Sequence, residues 1–441
     1  TSRFDHVLAT SISTRFAPGR SAAVASTRYG GFQTIPNDRP LTRTSPTLHN
    51  RPKSNTTRRS STSQSAGTSN DALYVATQDG YVHALDAYTG VLRWLQPVTR
   101  SGYNVRRPAH IGDTVVFVTP VDIQTYDRRT GDGLARHDLR YPPGSALVSD
   151  GQHLFVGGLD RRLYSLALPH MFYAWRSITN GPITSTPALH GDNVYVATEA
   201  GGVYACTRAD KRLVWETSVF GPVSADLVAT DDGVYVASRD QSLYLLFHET
   251  GEVRWRARFS GRLLEPPVVT PDLAYQYCAD DGVVAVENGV VGVEERLRWR
   301  LREGRQALTV HEGIVYVLSR NEELLAVRKA GGDVAVRSPA RGFTLGVPAV
   351  ATNTVFLVSP DGRIFCARPR NLPPLKPEDI VNALRPPGAP VEPTTTQPAV
   401  AAQRTTGSEF AGDPLKSDRR GAAVGGRSKV SRGFGSGGES E

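Results

Sequence analysis

The residue types that could do chemistry in this chain are cysteine, histidine and paired carboxylates, and their spacing argues against each reaction they would serve. Cys206, Cys278 and Cys366 are odd in number and far apart, with no CxxC and no adjacent pair, so neither a disulfide framework nor a thiolate metal site is supported. They read as small core-filling thiols. His49, His110, His190 and His311 recur near the same place in different repeats, which spreads them around the molecule. Without HExxH or HxH they read as polar turn residues, not as a zinc site. Asp231-Asp232 and Asp280-Asp281 fall in turns and read as solvated hairpin tips. No GxSxG precedes a helix and no GxxxxGK[ST] is present. Arginine is more suggestive. Arg262, Arg305 and Arg341 adjoin glycines that join one repeat to the next, and Arg106 and Arg107 sit in the one long junction of this class. With these junctions at one end of the fold, the five side chains read either as ordinary solvated arginines of an Arg-rich chain or as a basic rim suited to bidentate carboxylate contacts with a protein partner.

The elements that must position these residues are set by a repeat. All five tryptophans, Trp94, Trp175, Trp215, Trp255 and Trp299, share one slot, with separations of 81, 40, 40 and 44 residues. Alignment on the aromatic of a short β-branched strand gives eight copies: Tyr74, Phe117, Phe155, Tyr195, Tyr235, Tyr275, Tyr316 and Phe356. Each continues through a short turn rich in Asp and Gly into a second strand with a small residue in its third slot, as in Val82-His83-Ala84-Leu85-Asp86. A turn follows, clearest at Thr89-Gly90, Thr130-Gly131 and Thr250-Gly251, and then a strand that carries the tryptophan. Ala135 and Val336 replace it in copies two and seven. A junction glycine (Gly181, Gly221, Gly261, Gly342) opens the strand that leads back to the aromatic. Four short antiparallel strands per roughly 40 residues describe a β-propeller blade. The spacing therefore predicts an all-β, eight-bladed propeller, in which the tryptophans and Thr-Gly turns dock blade on blade and hold no cofactor.

Ring closure follows from what the eighth copy lacks. It stops after Ile364 to Arg368 and runs into proline, so its outer strand must come from elsewhere. Residues 41–50, LTRTSPTLHN, resemble the junction-strand pattern ITSTPALHGD, and 31–36, GFQTIP, form a plausible strand before them, so an N-terminal strand is expected to close the ring and remove an open sheet edge. Residues 1–27 are then a disordered leader, 28–370 the propeller with a polar insertion at 51–70, and 371–441 a Pro/Gly/Ser-rich tail. Within the tail, LKPEDIVNALRP fits two helical turns, with Pro377 early and Pro386 as a stop.

The formal net charge of +8 is concentrated in the N-terminal 70 residues: they carry 10 Lys/Arg against 2 Asp/Glu, whereas 71–370 carry 32 against 33. A basic tail on a neutral body argues against a nucleic-acid face. No run of 18 apolar residues is present, so no transmembrane helix is expected.

The string ALDAYTGVLRW, Ala84 to Trp94, with its Thr-Gly copies at 130 and 250 and its recurrent tryptophan, resembles the repeat of the pyrroloquinoline-quinone-like propellers over about residues 31–370. That family holds quinoprotein dehydrogenases and the non-enzymatic outer-membrane protein assembly factors of BamB type, and the layout is similar to the latter. The resemblance implies a scaffold without catalysis or cofactor, a monomeric propeller within a complex, protein partners such as a β-barrel assembly complex, and a periplasmic or cell-envelope location. A quinone-binding oxidoreductase or sensor is the alternative, and a glycan- or peptide-binding propeller a further one. Against the first stand the missing vicinal cysteine pair, turns of mostly two to six residues, and no position matching a calcium ligand or catalytic base. The lipid-anchoring cysteine of the BamB type is likewise not found.

Overall fold

A computed structural model describes residues 10–12, 22–26, 72–77, 80–100, 105–289, 296–348, 354–368, 373 and 375–384. The chain divides into two units, Thr1–Ala389 and Pro390–Glu441, and every described residue lies in the first. The polar insertion at 51–70 lies outside the described residues.

Blade four is representative. Its strands Ala188–His190, Asn193–Ala197, Gly202–Thr207 and Leu213–Ser218 pair in sequence order as an antiparallel sheet. The second and third strands are buried almost throughout, while the fourth alternates between a buried tryptophan and exposed neighbours. This is the pattern of a sheet packed on both faces whose last strand meets solvent at the rim. Eight such four-stranded sheets make up the propeller.

The tryptophan slot explains the third slot, which is small in four of the five Trp-bearing blades and Leu245 in blade five. In each Trp-bearing blade the tryptophan is the Cα partner of that residue: Ala84 for Trp94, Ser165 for Trp175, Ala205 for Trp215, Leu245 for Trp255 and Ala285 for Trp299. A β-bulge follows at the same register step in all five. It sharpens the local twist of the outer strand just where the indole leaves it. Each indole packs on the aromatic of its own blade, with ring centroids 5.7 Å apart for Tyr74–Trp94 and 5.9 Å for Tyr235–Trp255. Its Nε1–H then donates to a backbone carbonyl of the next blade: Trp94 to Arg128 (3.0 Å), Trp175 to Arg208 (2.9 Å), Trp215 to His248 (2.7 Å), Trp255 to Asn288 (3.1 Å) and Trp299 to Lys329 (2.8 Å).

The Thr-Gly turns are the receiving half of this joint. Gly131 and Gly251 have φ of +78° and +72°, and a Cβ on either would lie 2.5 Å from Trp94 or 2.4 Å from Trp215. Gly332 meets Trp299 in the same way. Asp86 shapes the first of these turns: its Oδ1 accepts from the N–H of Tyr88 (3.0 Å) and Thr89 (2.7 Å), and the Gly90 N–H reaches its carbonyl. Lys211, φ +60°, stands in the glycine slot opposite Trp175, and that indole is the most exposed of the five at 9%.

Where the tryptophan is lost, the turn changes with it. Blade two carries Ala135, on the outer strand Gly133–Asp138, and the slot facing it in blade three holds Met171 at φ +56°. Met171, the only methionine of the chain, is 4% exposed within the apolar cluster of blades two and three. An unbranched thioether suits an irregular gap. Blade eight also lacks the tryptophan, and there Tyr88 in the blade-one turn lies under Arg368, with 4.1 Å from guanidinium to ring centroid.

Blade eight consists of Leu345–Val347, Val355–Val358 and Ile364–Ala367, and its fourth strand is Thr10–Ile12, which pairs with Ile364 to Cys366. The inner strand of blade one is Ala22–Ser26, paired with Ala72–Thr77. An N-terminal strand thus closes the ring, but both closing strands come from the segment that composition assigned to a disordered leader, and 31–36 and 41–50 lie outside the described residues. Strands of three and five residues are too short to mark a window dominated by Ser, Thr and Arg. Beyond the ring, Pro377–Ala383 forms a helix, with proline in its first turn and the Lys376 N–H donating to Asp379 Oδ2 at 2.9 Å.

Two measurements check the joint. Gly131→Ala and Gly251→Ala should each lower unfolding stability by about 1–3 kcal/mol more than Gly112→Ala, because Gly112 has φ +55° but open space around it and so reports the backbone strain alone. Ala135→Trp should destabilise by about 1–3 kcal/mol alone and substantially less with Met171→Gly, a coupling read from a double-mutant cycle in urea.

Candidate functional site

Strand alternation puts the blade junctions and the turns between second and third strands at one end of the ring. The contacts agree: a Cβ on Gly181 would meet Ala200, and one on Gly221 would meet Asp240, each in the second-to-third-strand turn of the following blade. All five rim arginines belong to this end, but they do not act as one basic surface. Arg107 is ion-paired with Asp226 at 3.4 Å, and Asp226 also accepts from the Thr186 N–H at 2.8 Å. Arg107 and Asp226 each lie just before the inner strand of a blade, blades two and five, which stand three places apart in the ring. The pair therefore spans the axial mouth. Arg305 makes a two-pronged contact with Glu265, 2.9 Å and 2.7 Å, and lies 4.2 Å over the Tyr277 ring. The Glu265 carboxylate raises the Arg305 pKa further. Arg106, Arg262 and Arg341 are exposed.

The more distinctive feature of this end is apolar. Val121 and Leu159 at second-to-third-strand turns, Ile178 at the end of an outer strand, and Phe220 and Leu264 in junctions are 61%, 45%, 74%, 83% and 57% exposed. They come from blades two to five. The equivalent positions of blades six and seven are charged, with Asp280, Arg302 and Glu303, and Arg320 and Glu322. Arg256 lies 5.3 Å over the Phe220 ring and frames the apolar arc with positive charge. Sequence patterning overlooked this arc because single apolar residues in turns carry no periodicity.

The titratable groups elsewhere are structural. Cys206 and Cys278 are buried and free, and Cys366 is partly buried. No three His, Cys, Asp or Glu side chains come together as a metal site among the described residues. The histidines are not simple turn residues, however. His190 stacks on His248 of the next blade at 4.1 Å, and the Tyr195 hydroxyl lies 2.9 Å from His248 Nδ1. His110 packs 5.5 Å from the Tyr74 ring, its pKa pushed down to about 4 by burial and secondarily by the Arg128 charge.

A family model described as "Outer membrane protein assembly factor BamB" matches residues 42–158, 172–246, 228–300 and 289–368, and so takes in the 41–50 segment almost whole. No curated protein sequence matches the chain significantly. Among solved structures, a crystal structure of BamB from Moraxella catarrhalis is similar with a TM-score of 0.56 and 16% identity, covering 69% of this chain and 93% of that one. The computationally designed Ika8 protein is similar with a TM-score of 0.57 and 13% identity, covering 68% and 93%. At such identities the likeness concerns the fold alone.

The buried histidine has a measurable signature. Its folded pKa lies below the ordinary 6.5, so the unfolded chain binds the proton more readily between about pH 4 and 6.5. The contribution of His110 is complete above that window and is lost as pH falls through it, with a slope of at most about 1.4 kcal/mol per pH unit. His110→Asn should flatten stability against pH in this range, as measured by urea denaturation at half-unit steps.

Proposed function

Since the chain belongs to the family of propellers described as outer membrane protein assembly factor BamB, we propose that it is a non-catalytic scaffold that binds protein partners in the cell envelope, as part of outer-membrane β-barrel assembly. The observation that carries this reading is the apolar arc of Val121, Leu159, Ile178, Phe220 and Leu264 on four consecutive blades. Isolated surface apolar residues need no explanation, but a side chain as exposed as Phe220 beside others at one end of a rigid ring supports a docking face. Arginines at the edge suit the polar rim of such an interface. No helix among the described residues is long and apolar enough to cross a membrane.

The quinone alternative finds less support. An axial cofactor would need an open mouth, and the Arg107–Asp226 pair crosses it at the junction end. The scaffold reading is tested with a photo-crosslinking residue in place of Phe220 or Leu264, and as control in place of Phe172, which is 69% exposed at the opposite end. Capture of a barrel-assembly component from envelope membranes at 220 and 264 but not at 172 is expected. Equal capture at all three, or recovery of no such component, would overturn it.

A further inference from the structure

The wedge between blades one and two differs from its neighbours. In blades three, four and five the third-strand residue that faces the preceding blade is a tyrosine, opposite Arg176, Glu216 and Arg256 respectively. Tyr164 stacks on Tyr141 at 3.6 Å, the Tyr204 hydroxyl accepts from the Asn180 N–H at 2.9 Å, and Tyr244 packs in the cluster that holds Trp215. Each ring packs on the preceding blade or its junction, and Tyr164 with Tyr141 and Tyr173 also borders a second cleft, of about 700 Å³ and walled by aromatic rings. Blade six has only Val284 there, but Phe259 of the preceding blade shares its cluster. Blade two has Gln124, opposite Arg136, and the preceding blade offers Val98. The wedge is left open as a cleft of about 780 Å³.

Its wall is a hydrogen-bonded chain. The Tyr126 hydroxyl donates to Gln124 Oε1 at 2.6 Å, and Gln124 Nε2 donates to the Val98 carbonyl and to Asp122 Oδ1, both at 3.0 Å. Asp122 is fully buried, and its second carboxylate oxygen faces the Arg136 guanidinium. The inner end is closed by Tyr126 stacked on Trp94, centroids 6.1 Å apart.

We propose that this cleft binds a short saccharide. The volume falls within the roughly 300–1,000 Å³ of small-ligand sites. The buried carboxylate is matched by Arg136, so the wall favours neither a free anion nor a cation. It presents acceptors, Gln124 Oε1 and the Tyr126 oxygen, next to the remaining guanidinium N–H donors, and sugar hydroxyls satisfy both kinds at once. Each oxygen already takes part in the wall's own hydrogen bonds but keeps a lone pair, so a sugar hydroxyl can join the network, whereas an apolar ligand gains nothing from it. The closed inner end excludes a peptide strand threaded through.

Maltotriose, chitotriose and mannotriose, titrated into the full chain by calorimetry, should include at least one saturable binder. Gln124→Tyr restores the side chain that the next three blades use, so it should keep the melting temperature and weaken that binder at least tenfold. Leu134→Trp, on an exposed wall position, should also weaken it and guards against a folding defect in the first variant. Absence of saturable binding by all three sugars, or binding unchanged in both variants, overturns the proposal.

Discussion

The ring depends on one repeated joint, an indole that packs on its own blade's aromatic and donates its N–H to a turn of the next blade. Two constraints meet there. A buried indole N–H left without a partner would cost as much as a lost hydrogen bond, and a large flat ring needs a surface without a Cβ. A glycine turn answers both at Trp94, Trp215 and Trp299, with a free carbonyl and a bare Cα beside it, while at Trp175 the carbonyl remains and Lys211 takes the glycine's place. Because each joint links only neighbours, stability accumulates around the ring as a chain of nearest-neighbour terms. The contacts between blades one and two, and from three through seven, are built this way.

The joints between blades two and three, seven and eight, and eight and one are not; blade seven carries Val336 in the slot, and the other two joints each use a substitute. Ala135 is answered by Met171, a change of volume on one side met by an opposite change on the other. The blade-one turn is covered by Arg368 in place of an indole. With the interior and the outer wedges given over to packing, surface for recognition remains at the ends of the ring and in wedges left unfilled. The junction end is itself divided, with an apolar arc over blades two to five and charged turns over six and seven, so the units are equal in backbone and unequal in what they present.

Much of this was legible in the sequence because periodicity reports contacts that recur. The tryptophan slot, the small residue opposite it and the Thr-Gly turn repeat at fixed offsets, and the blade count follows. What did not repeat was not legible. Met171 sits in the turn string ALPHM, which offers no sign that it answers Ala135, some 36 residues earlier. The partner of Arg107 is Asp226, three blades on, a contact that exists only once the ring closes. Grouping five arginines by their place beside junction glycines located them at one end, yet two of them are spent on Asp226 and Glu265. His190 and His248 occupy different slots of adjacent repeats, so their stacking had no periodic signal either.

The closing strands Thr10–Ile12 and Ala22–Ser26 belong to one short stretch, which completes the last blade and begins the first. A ribosome therefore makes the clasp of the ring before anything it can fasten. Blades two to seven can assemble as they emerge, each on the one before, but the opening segment must wait for strands near residue 365. During that interval two sheet edges stand unpaired, and the chain is most exposed to association with other nascent copies or with chaperones. The ring is complete only when Thr10–Ile12 returns to the last blade.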